Sequence, residues 1–149
     1  MDEAGLASAL NWYVQGVAER SGLAIDLQIS DNFGRLPADM ELAFFRVVQE
    51  CLTNIHRHAE SKTARIRLAR ENGRVCIEVQ DEGKGMSPER LAEIRSRGSG
   101  VGIGGIRERL RQFGGTLRIE SDQNGTRVFA SVPVPKGAQR EFEPPQAAV

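Results

Sequence analysis

Residues 97–110 read RGSGVGIGGIRERL, in which five glycines within eight positions precede an amphipathic, arginine-rich run. Residues 100–105 fit the dinucleotide-binding pattern G-x-G-x-x-G, and Glu120 follows at roughly the spacing that this pattern requires. That pattern must follow a buried strand, whereas residues 87–97 are charged and spaced as a helix. No Gly-Lys-Ser/Thr follows, so a P-loop is excluded as well. What remains is a glycine segment that opens a helix, whose free N–H groups suit an anion.

The remaining sequence alternates between helical and strand periodicity. Paired strand-like runs are joined by short turns such as Asn72-Gly73, which favours a tight hairpin. Strands that pair as hairpins, with helices between the pairs, indicate an α+β, two-layer sandwich and not a parallel, doubly wound sheet. We predict helices over 3–19, from Pro37 to about Ala59, over 87–97 and over 103–113, and strands over 23–30, 64–70, 74–80, 116–121 and 126–132.

Length and composition restrict the class of protein. The chain has 149 residues, enough for one domain, and its 20 basic residues balance its 20 acidic ones. This balance, without a basic tract interleaved with aromatics, argues against nucleic-acid binding. The opening MDEAGLASAL is acidic and unlike a signal peptide, and no apolar run approaches the roughly 20 residues of a membrane span. Cys51 and Cys76 lie in apolar patterns, which favours buried, reduced thiols in an intracellular domain.

The long predicted helix carries two faces. At about 100° per residue, its apolar side chains form a stripe toward the core, and Glu50, Asn54, Arg57 and His58 form an adjoining arc. An ordinary solvated face is one interpretation of this arc. The other is a metal and phosphate site, because asparagine is a poor helix former and its carbonyl beside a carboxylate suits a hydrated Mg²⁺. Zinc is disfavoured because Cys51 lies on the core stripe and no fourth ligand is evident.

The sequence DEGKGM, residues 81–86, ends a strand with an aspartate and two glycines. Aspartate and glycine are common turn residues, so a plain turn is one interpretation. A buried carboxylate at a strand end can instead accept a hydrogen bond from an exocyclic amine such as that of adenine. Gly83 and Gly85 would then let the backbone approach a flat ring closely. The pattern alone does not choose between these interpretations.

Four short motifs occur in a distinctive order along the chain. They are E-x-x-x-N-x-x-x-H on a helix, D-x-G-x-G after a hairpin, G-x-G-x-G opening a helix, and N-G-T before the last strand. This set resembles the GHKL ATPases, which include gyrase and the histidine kinases and whose ATP site is the Bergerat fold. The segments FRVVQECLTNIHRHA and GIRERLRQFGGTLRIES are most similar in sequence to catalytic domains of sensor histidine kinases of the nitrate-sensor and lipid-sensor type. The resemblance covers approximately Leu23 to Pro133. It implies a mixed, mostly antiparallel sheet with helices on one face.

The resemblance also implies ligands and residue roles. ATP and Mg²⁺ are the expected ligands. Asn54 would bind Mg²⁺ through its side-chain oxygen, and Glu50 would hold a water on that ion, so these two are the expected catalytic residues. Arg57 and His58 would approach the phosphates, and Asp81 would accept the adenine amine. The other expected nucleotide contacts are Gly83, Gly85, Met86, Gly98, Gly100, Val101, Gly102, Ile103, Gly104 and Thr126.

An activity and partners follow from the same resemblance. Such a domain donates the γ-phosphoryl group of ATP to a histidine on a separate dimerisation element, for onward transfer to a response regulator. We therefore interpret residues 1–21 as a histidine-free stub of that element, 22–134 as the catalytic domain and 135–149 as a disordered tail. The isolated domain is expected to be monomeric and cytoplasmic. The parent is expected to be a homodimer, with or without a membrane anchor.

Two other functions stay open at this point. One is a stand-alone GHKL serine kinase of the anti-sigma type, and the other is an interaction module that binds ATP without phosphotransfer. The GIRERL ending of the glycine segment and the short lid before it favour the histidine kinase.

Overall fold

The computed structural model describes residues 5–59, 61–85, 87–89, 92 and 103–134. The helix predicted over 87–97 lies largely outside these residues, and the tail from 135 lies wholly outside them. The elements run in the order α1 (Gly5–Ser21), β1 (Ala24–Ile29), α2 (Ala38–Asn54) with a π turn (Ile55–Ala59), β2 (Thr63–Glu71), β3 (Arg74–Asp81), α3 (Ile103–Gln112), β4 (Thr116–Asp122) and β5 (Gly125–Pro133).

The five strands form one mixed sheet in the order β1-β2-β3-β5-β4. Strands β1 and β2 are parallel, and the other neighbours are antiparallel. Alternate residues of β2, β3 and β4 are buried, whereas the residues between them are exposed or half-buried. The described helices α1, α2 and α3 contact the sheet through β1, β3 and β4 respectively. The predicted two-layer α/β sandwich with a mostly antiparallel sheet is therefore confirmed.

The core lies between the sheet and the apolar stripes of the helices. Phe44, Val48 and Leu52 of α2 are buried, as the predicted stripe requires. Leu6 and Leu10 of α1 are fully buried against the same core, so α1 packs as part of this layer. Within the described residues, no helix has the length and apolar character of a transmembrane span.

The expectation for the two cysteines is half wrong. Cys51 is buried and Cys76 is exposed, and both are free. Cys76 lies between Val75 and Ile77, which occupy the covered face of β3. Because successive strand residues point to opposite faces, Cys76 must face the open side of the sheet.

A buried ionic network holds the loop that leads into α2. Glu41 is 1% exposed and accepts hydrogen bonds from Arg35 Nε and from the Leu36 N–H, each at 3.0 Å. Arg70, on the covered face of β2, donates to the Phe33 and Arg35 carbonyls at 2.6 and 3.0 Å. The sequence does not predict this network, because Arg35, Glu41 and Arg70 each occupy what reads as an ordinary polar position in its own segment.

Candidate nucleotide-binding site

The candidate site lies at the end of the sheet where β3 finishes and β5 begins. Asp81 is the last residue of β3, and Thr126 lies beside it near the start of β5. Ser121 pairs with Thr126 across β4 and β5. The alternation of buried positions places all three side chains on the face that the helices cover. Asp81 and Thr126, predicted from different motifs, are therefore neighbours.

Asp81 is a buried carboxylate at 6% exposure. Its Oδ1 accepts hydrogen bonds from the Gly83 N–H at 2.8 Å and the Thr126 N–H at 3.3 Å. Its Oδ2 receives no hydrogen bond from the described part of the chain. Burial raises the pKa of Asp81, an effect that the two N–H donors oppose only in part. The second carboxylate oxygen is therefore placed to accept a hydrogen bond from a ligand.

Two glycines allow the backbone around Asp81 to pack against the β4–β5 turn. Gly125 has φ 138°, and a Cβ there would overlap the Asp81 carbonyl oxygen. Gly85 has φ 79°, and a Cβ there would overlap the Asp122 carbonyl oxygen. A side chain at either position would push the turn away from Asp81. The family resemblance predicts that Gly85 shapes this wall, but it assigns no role to Gly125 of the N-G-T motif.

Glu50 and Asn54 lie one turn apart on α2 and are both half-buried. Burial raises the pKa of Cys51 to about 12, and the charges of Glu50 and of Asp81 both add to this increase. The thiol of Cys51 thus lies within electrostatic range of both carboxylates. Tyr13 of α1 also has a raised pKa, caused first by burial and in part by Glu50, with Arg20 acting in the opposite direction. Helix α2 also contacts β3, the strand that ends at Asp81.

The α-helical register of α2 ends at Asn54, earlier than expected. The Ile55 N–H points to the carbonyls of both Cys51 and Leu52, and residues Ile55–Ala59 form a π turn. Such a turn holds more residues than an α-helical one, so the spacing of about 100° that grouped Arg57 and His58 with Glu50 does not continue here. Arg57 is exposed, and the side chain of His58 lies outside the described part of the chain.

The first turn of α3 faces α2 at Glu50. Glu50 lines a groove together with Gly105 and Ile106 of α3. Ile103 and Gly104 open this helix, so its free N–H groups lie at the end predicted to receive phosphates. Met86, Gly98, Gly100, Val101 and Gly102 lie outside the described residues.

Comparison with known proteins gives the family. Residues 39–136 match the model of the histidine kinase-, DNA gyrase B- and HSP90-like ATPases. The sensor histidine kinase MctS of Rhizobium johnstonii is 34% identical over 140 residues, which are 94% of this chain and 30% of that protein. The histidine-protein kinase/phosphatase DegS of Brevibacillus brevis is 28% identical over 135 residues, 90% of this chain and 34% of that protein. The chain thus spans about a third of these curated relatives.

Solved structures show the same fold. A histidine kinase domain from the Erythrobacter litoralis EL346 blue-light activated kinase has a TM-score of 0.68 at 21% identity, covering 87% of this chain and 61% of that one. Full-length ShkA, solved with AMPPNP, has a TM-score of 0.71 at 19% identity, covering 93% of this chain and 31% of that one. The family model spans well over half of the sequence. The protein therefore belongs to the histidine kinase-, DNA gyrase B- and HSP90-like ATPase family, as an ATP-binding catalytic domain of the kind found in two-component sensor histidine kinases.

Proposed function

We propose that this chain binds Mg-ATP and, within its parent protein, donates the γ-phosphoryl group to a histidine on a dimerisation element, from which it passes to a response regulator. One juxtaposition supports this proposal above all. The buried Asp81 carboxylate lines a cavity with Thr126, Glu50 lines a groove with the first turn of α3, and helix α2 contacts both α3 and the strand that ends at Asp81. A purine acceptor and phosphate donors at opposite ends match the polarity of a nucleoside triphosphate.

At the purine end, Asp81 Oδ2 accepts a hydrogen bond from the adenine amine. Gly83 is buried and donates to Asp81, so it holds the carboxylate in place. Gly85 lets the loop approach the plane of the ring, and Met86 follows it in sequence at this wall. Thr126 offers a hydroxyl to the ring edge beside Asp81, directly or through a water.

At the phosphate end, Asn54 and Glu50 supply an amide and a carboxylate oxygen on the same helical face. The Asn54 oxygen would bind Mg²⁺ and Glu50 would hold a water on that ion, a donor set that fits Mg²⁺ because it leaves room for further waters and phosphate oxygens. When bound, Mg²⁺ neutralises charge on the β- and γ-phosphates. The α3 N–H groups face the phosphate oxygens, and we assign the same role to Arg57 and His58. We assign further contacts with the triphosphate to Gly98, Gly100, Val101, Gly102, Ile103 and Gly104.

Removal of the Asn54 amide should weaken the effect of the metal on nucleotide binding. We expect Asn54→Ala to lower the affinity for Mg-ATP by about tenfold or more, while the affinity for ATP in a chelator changes little. Calorimetric titration with and without Mg²⁺ measures both quantities. Asn11→Ala is a matched control, because the Asn11 side chain donates to the Ala7 carbonyl on the exposed side of α1. An unchanged Mg²⁺ dependence in Asn54→Ala would remove Asn54 from the metal site.

The raised pKa of Asp81 predicts how binding depends on pH. The ionised carboxylate is the stronger acceptor, so affinity for ATP should fall as the pH decreases through the pKa of Asp81. Because burial raises this pKa, the decrease should begin at a higher pH than an ordinary aspartate would allow. Calorimetry across a pH series, with Asp81→Asn as the reference that lacks this titration, measures the effect. If the affinity of the unsubstituted chain varies with pH in the same way as that of Asp81→Asn, the titration of Asp81 does not control binding.

Phosphotransfer is tested by mixing the domain with a histidine-bearing dimerisation element and labelled ATP. Acid-labile, base-stable phosphate on that element is the expected result, with Asn54→Ala as the inactive control. Acid-stable phosphoserine on an anti-anti-sigma protein would instead support the serine kinase. Binding of ATP without transfer to either partner would support an interaction module.

We further propose the setting of this domain in its parent. Residues 1–21 form the final part of the dimerisation element, 22–134 the catalytic domain, and 135–149 a tail. The isolated domain is a monomer that transfers little phosphate alone, and the parent is a homodimer of the nitrate-sensor and lipid-sensor class. Because ATP is its substrate, we place the domain in the cytoplasm. Size-exclusion chromatography of the isolated chain tests the monomer.

A further inference from the structure

We propose that Ser121 is a specificity-determining residue that orients the Thr126 hydroxyl toward the purine edge, an inference that rests on the proposed nucleotide site. Ser121 Oγ and Thr126 Oγ1 lie 2.9 Å apart, within hydrogen-bond distance. The two residues face each other across β4 and β5, and both are half-buried. The sequence motifs predict a role for Thr126 and none for Ser121.

The row formed by Ser121, Thr126 and Asp81 crosses three neighbouring strands at the same end of the sheet. Asp81 Oδ1 accepts the Thr126 N–H, so the backbone of Thr126 is held from one side. Ser121 holds the side chain of Thr126 from the other side. Ser121 Oγ also lies 3.0 Å from the position that a Cβ on Gly85 would occupy, so it borders the glycine wall as well. Ser121 therefore touches two of the elements assigned to the purine.

The direction of this hydrogen bond decides which purine fits. An ionised Asp81 can only accept, so it matches the exocyclic amine of adenine. Adenine carries an acceptor, N1, next to that amine, whereas hypoxanthine and guanine carry an N1–H donor next to a carbonyl oxygen. A threonine hydroxyl alone can turn to donate or to accept. If Ser121 donates to Thr126 Oγ1, the Thr126 proton is directed away from Ser121 and toward the acceptor of adenine.

Removal of the Ser121 hydroxyl should therefore change specificity more than folding. In Ser121→Ala, Thr126 is free to accept a hydrogen bond from N1–H. We expect the preference for ATP over inosine triphosphate to narrow by about two- to tenfold, the usual effect of one hydrogen bond. In a Thr126→Ala background, Ser121→Ala should produce no further change in this ratio, because Ser121 acts through Thr126.

Calorimetry measures the affinities for ATP and inosine triphosphate. The unsubstituted full chain, the two single variants and the double variant are compared. Ser131→Ala is the matched control, since Ser131 lies on the same strand pair but on the open face and is bonded by Arg74. An equal loss of affinity for both nucleotides, or additive effects in the double variant, would show that Ser121 serves only packing. If the unsubstituted chain binds neither nucleotide, the proposed function itself is wrong. If the unsubstituted chain prefers ATP and Ser121→Ala keeps the same ratio of affinities, only the role of Ser121 is wrong.

Discussion

The Asp81→Asn variant is expected to have an unfolding temperature no lower than that of the unsubstituted chain, while its affinity for ATP falls by about 10- to 100-fold. Burial raises the pKa of Asp81, so the ionised form is less favourable in the folded chain than in the unfolded one at neutral pH. This contribution favours folding only at low pH and is lost as the pH rises through the raised pKa. A neutral amide avoids that cost, and its oxygen can still accept from Gly83 and Thr126.

Binding should respond in the opposite direction. The asparagine can place its oxygen on the two backbone N–H groups that now hold Oδ1, which leaves its NH₂ facing the ligand. The asparagine NH₂ then faces the adenine amine, which is also a donor and needs an acceptor. The hydrogen bond to a charged carboxylate is lost, which weakens the binding free energy by about 1.5–3 kcal/mol. The preference for ATP over inosine triphosphate should shrink as well.

Thermal unfolding of the unliganded variant and calorimetric titration with Mg-ATP together measure this opposition between stability and binding. Asp26→Asn is a matched control, because Asp26 is an exposed aspartate on β1, away from Asp81, and accepts a hydrogen bond from the Gln28 side chain at 3.2 Å. The control should leave the affinity for ATP within about twofold, as expected for a surface change. Unaltered nucleotide preference in Asp81→Asn would show that Asp81 is an ordinary turn residue.

Glu41→Ala is expected to cause the largest loss of stability, about 3 kcal/mol. The substitution removes the hydrogen bonds that Glu41 accepts, so the buried Leu36 N–H loses its acceptor and the Arg35 guanidinium loses its ion pair with Glu41. Arg35 keeps 26% of its side-chain area exposed, which places the loss at the lower end for a broken buried pair. Glu41→Gln should lose less, because its amide oxygen can still accept one of these bonds.

Urea-induced unfolding of the parent and the variants measures this difference. Glu108→Ala is the surface control, since its ion pair with Arg111 spans 3.6 Å between side chains that are both about two-thirds exposed. Such a pair contributes little, so the control should stay within about 0.5 kcal/mol of the parent. A loss in Glu41→Ala as small as that of the control would show that the loop before α2 holds without Glu41.

Several features could be predicted because they depend on residues close together in the chain. Period-two alternation identified β2 and β3, and Asn72-Gly73 identified the turn between them, where Asn72 has φ 55°. The apolar stripe of α2 identified its buried face. The order of the four motifs identified the family, which the comparisons confirm. The roles of the individual site residues stay predictions that the experiments above test.

Other features depend on segments that are distant in the chain. Strand β5 inserts between β3 and β4, and this order places Thr126 beside Asp81 and aligns Ser121 with both. The end of the α-helical register at Asn54 and the burial of Glu41 beside Arg35 likewise have no local signature.

By itself, therefore, the sequence determined the five strands, the positions of α1, α2 and α3, the Asn72-Gly73 turn and the family of this protein. Only the tertiary structure decided which strands pair, which face of the sheet the helices cover, and which groups contact each buried charge. The physical reason is that hydrogen-bonding periodicity and turn chemistry act between near neighbours, whereas burial and ion pairing depend on which distant segment packs against each residue.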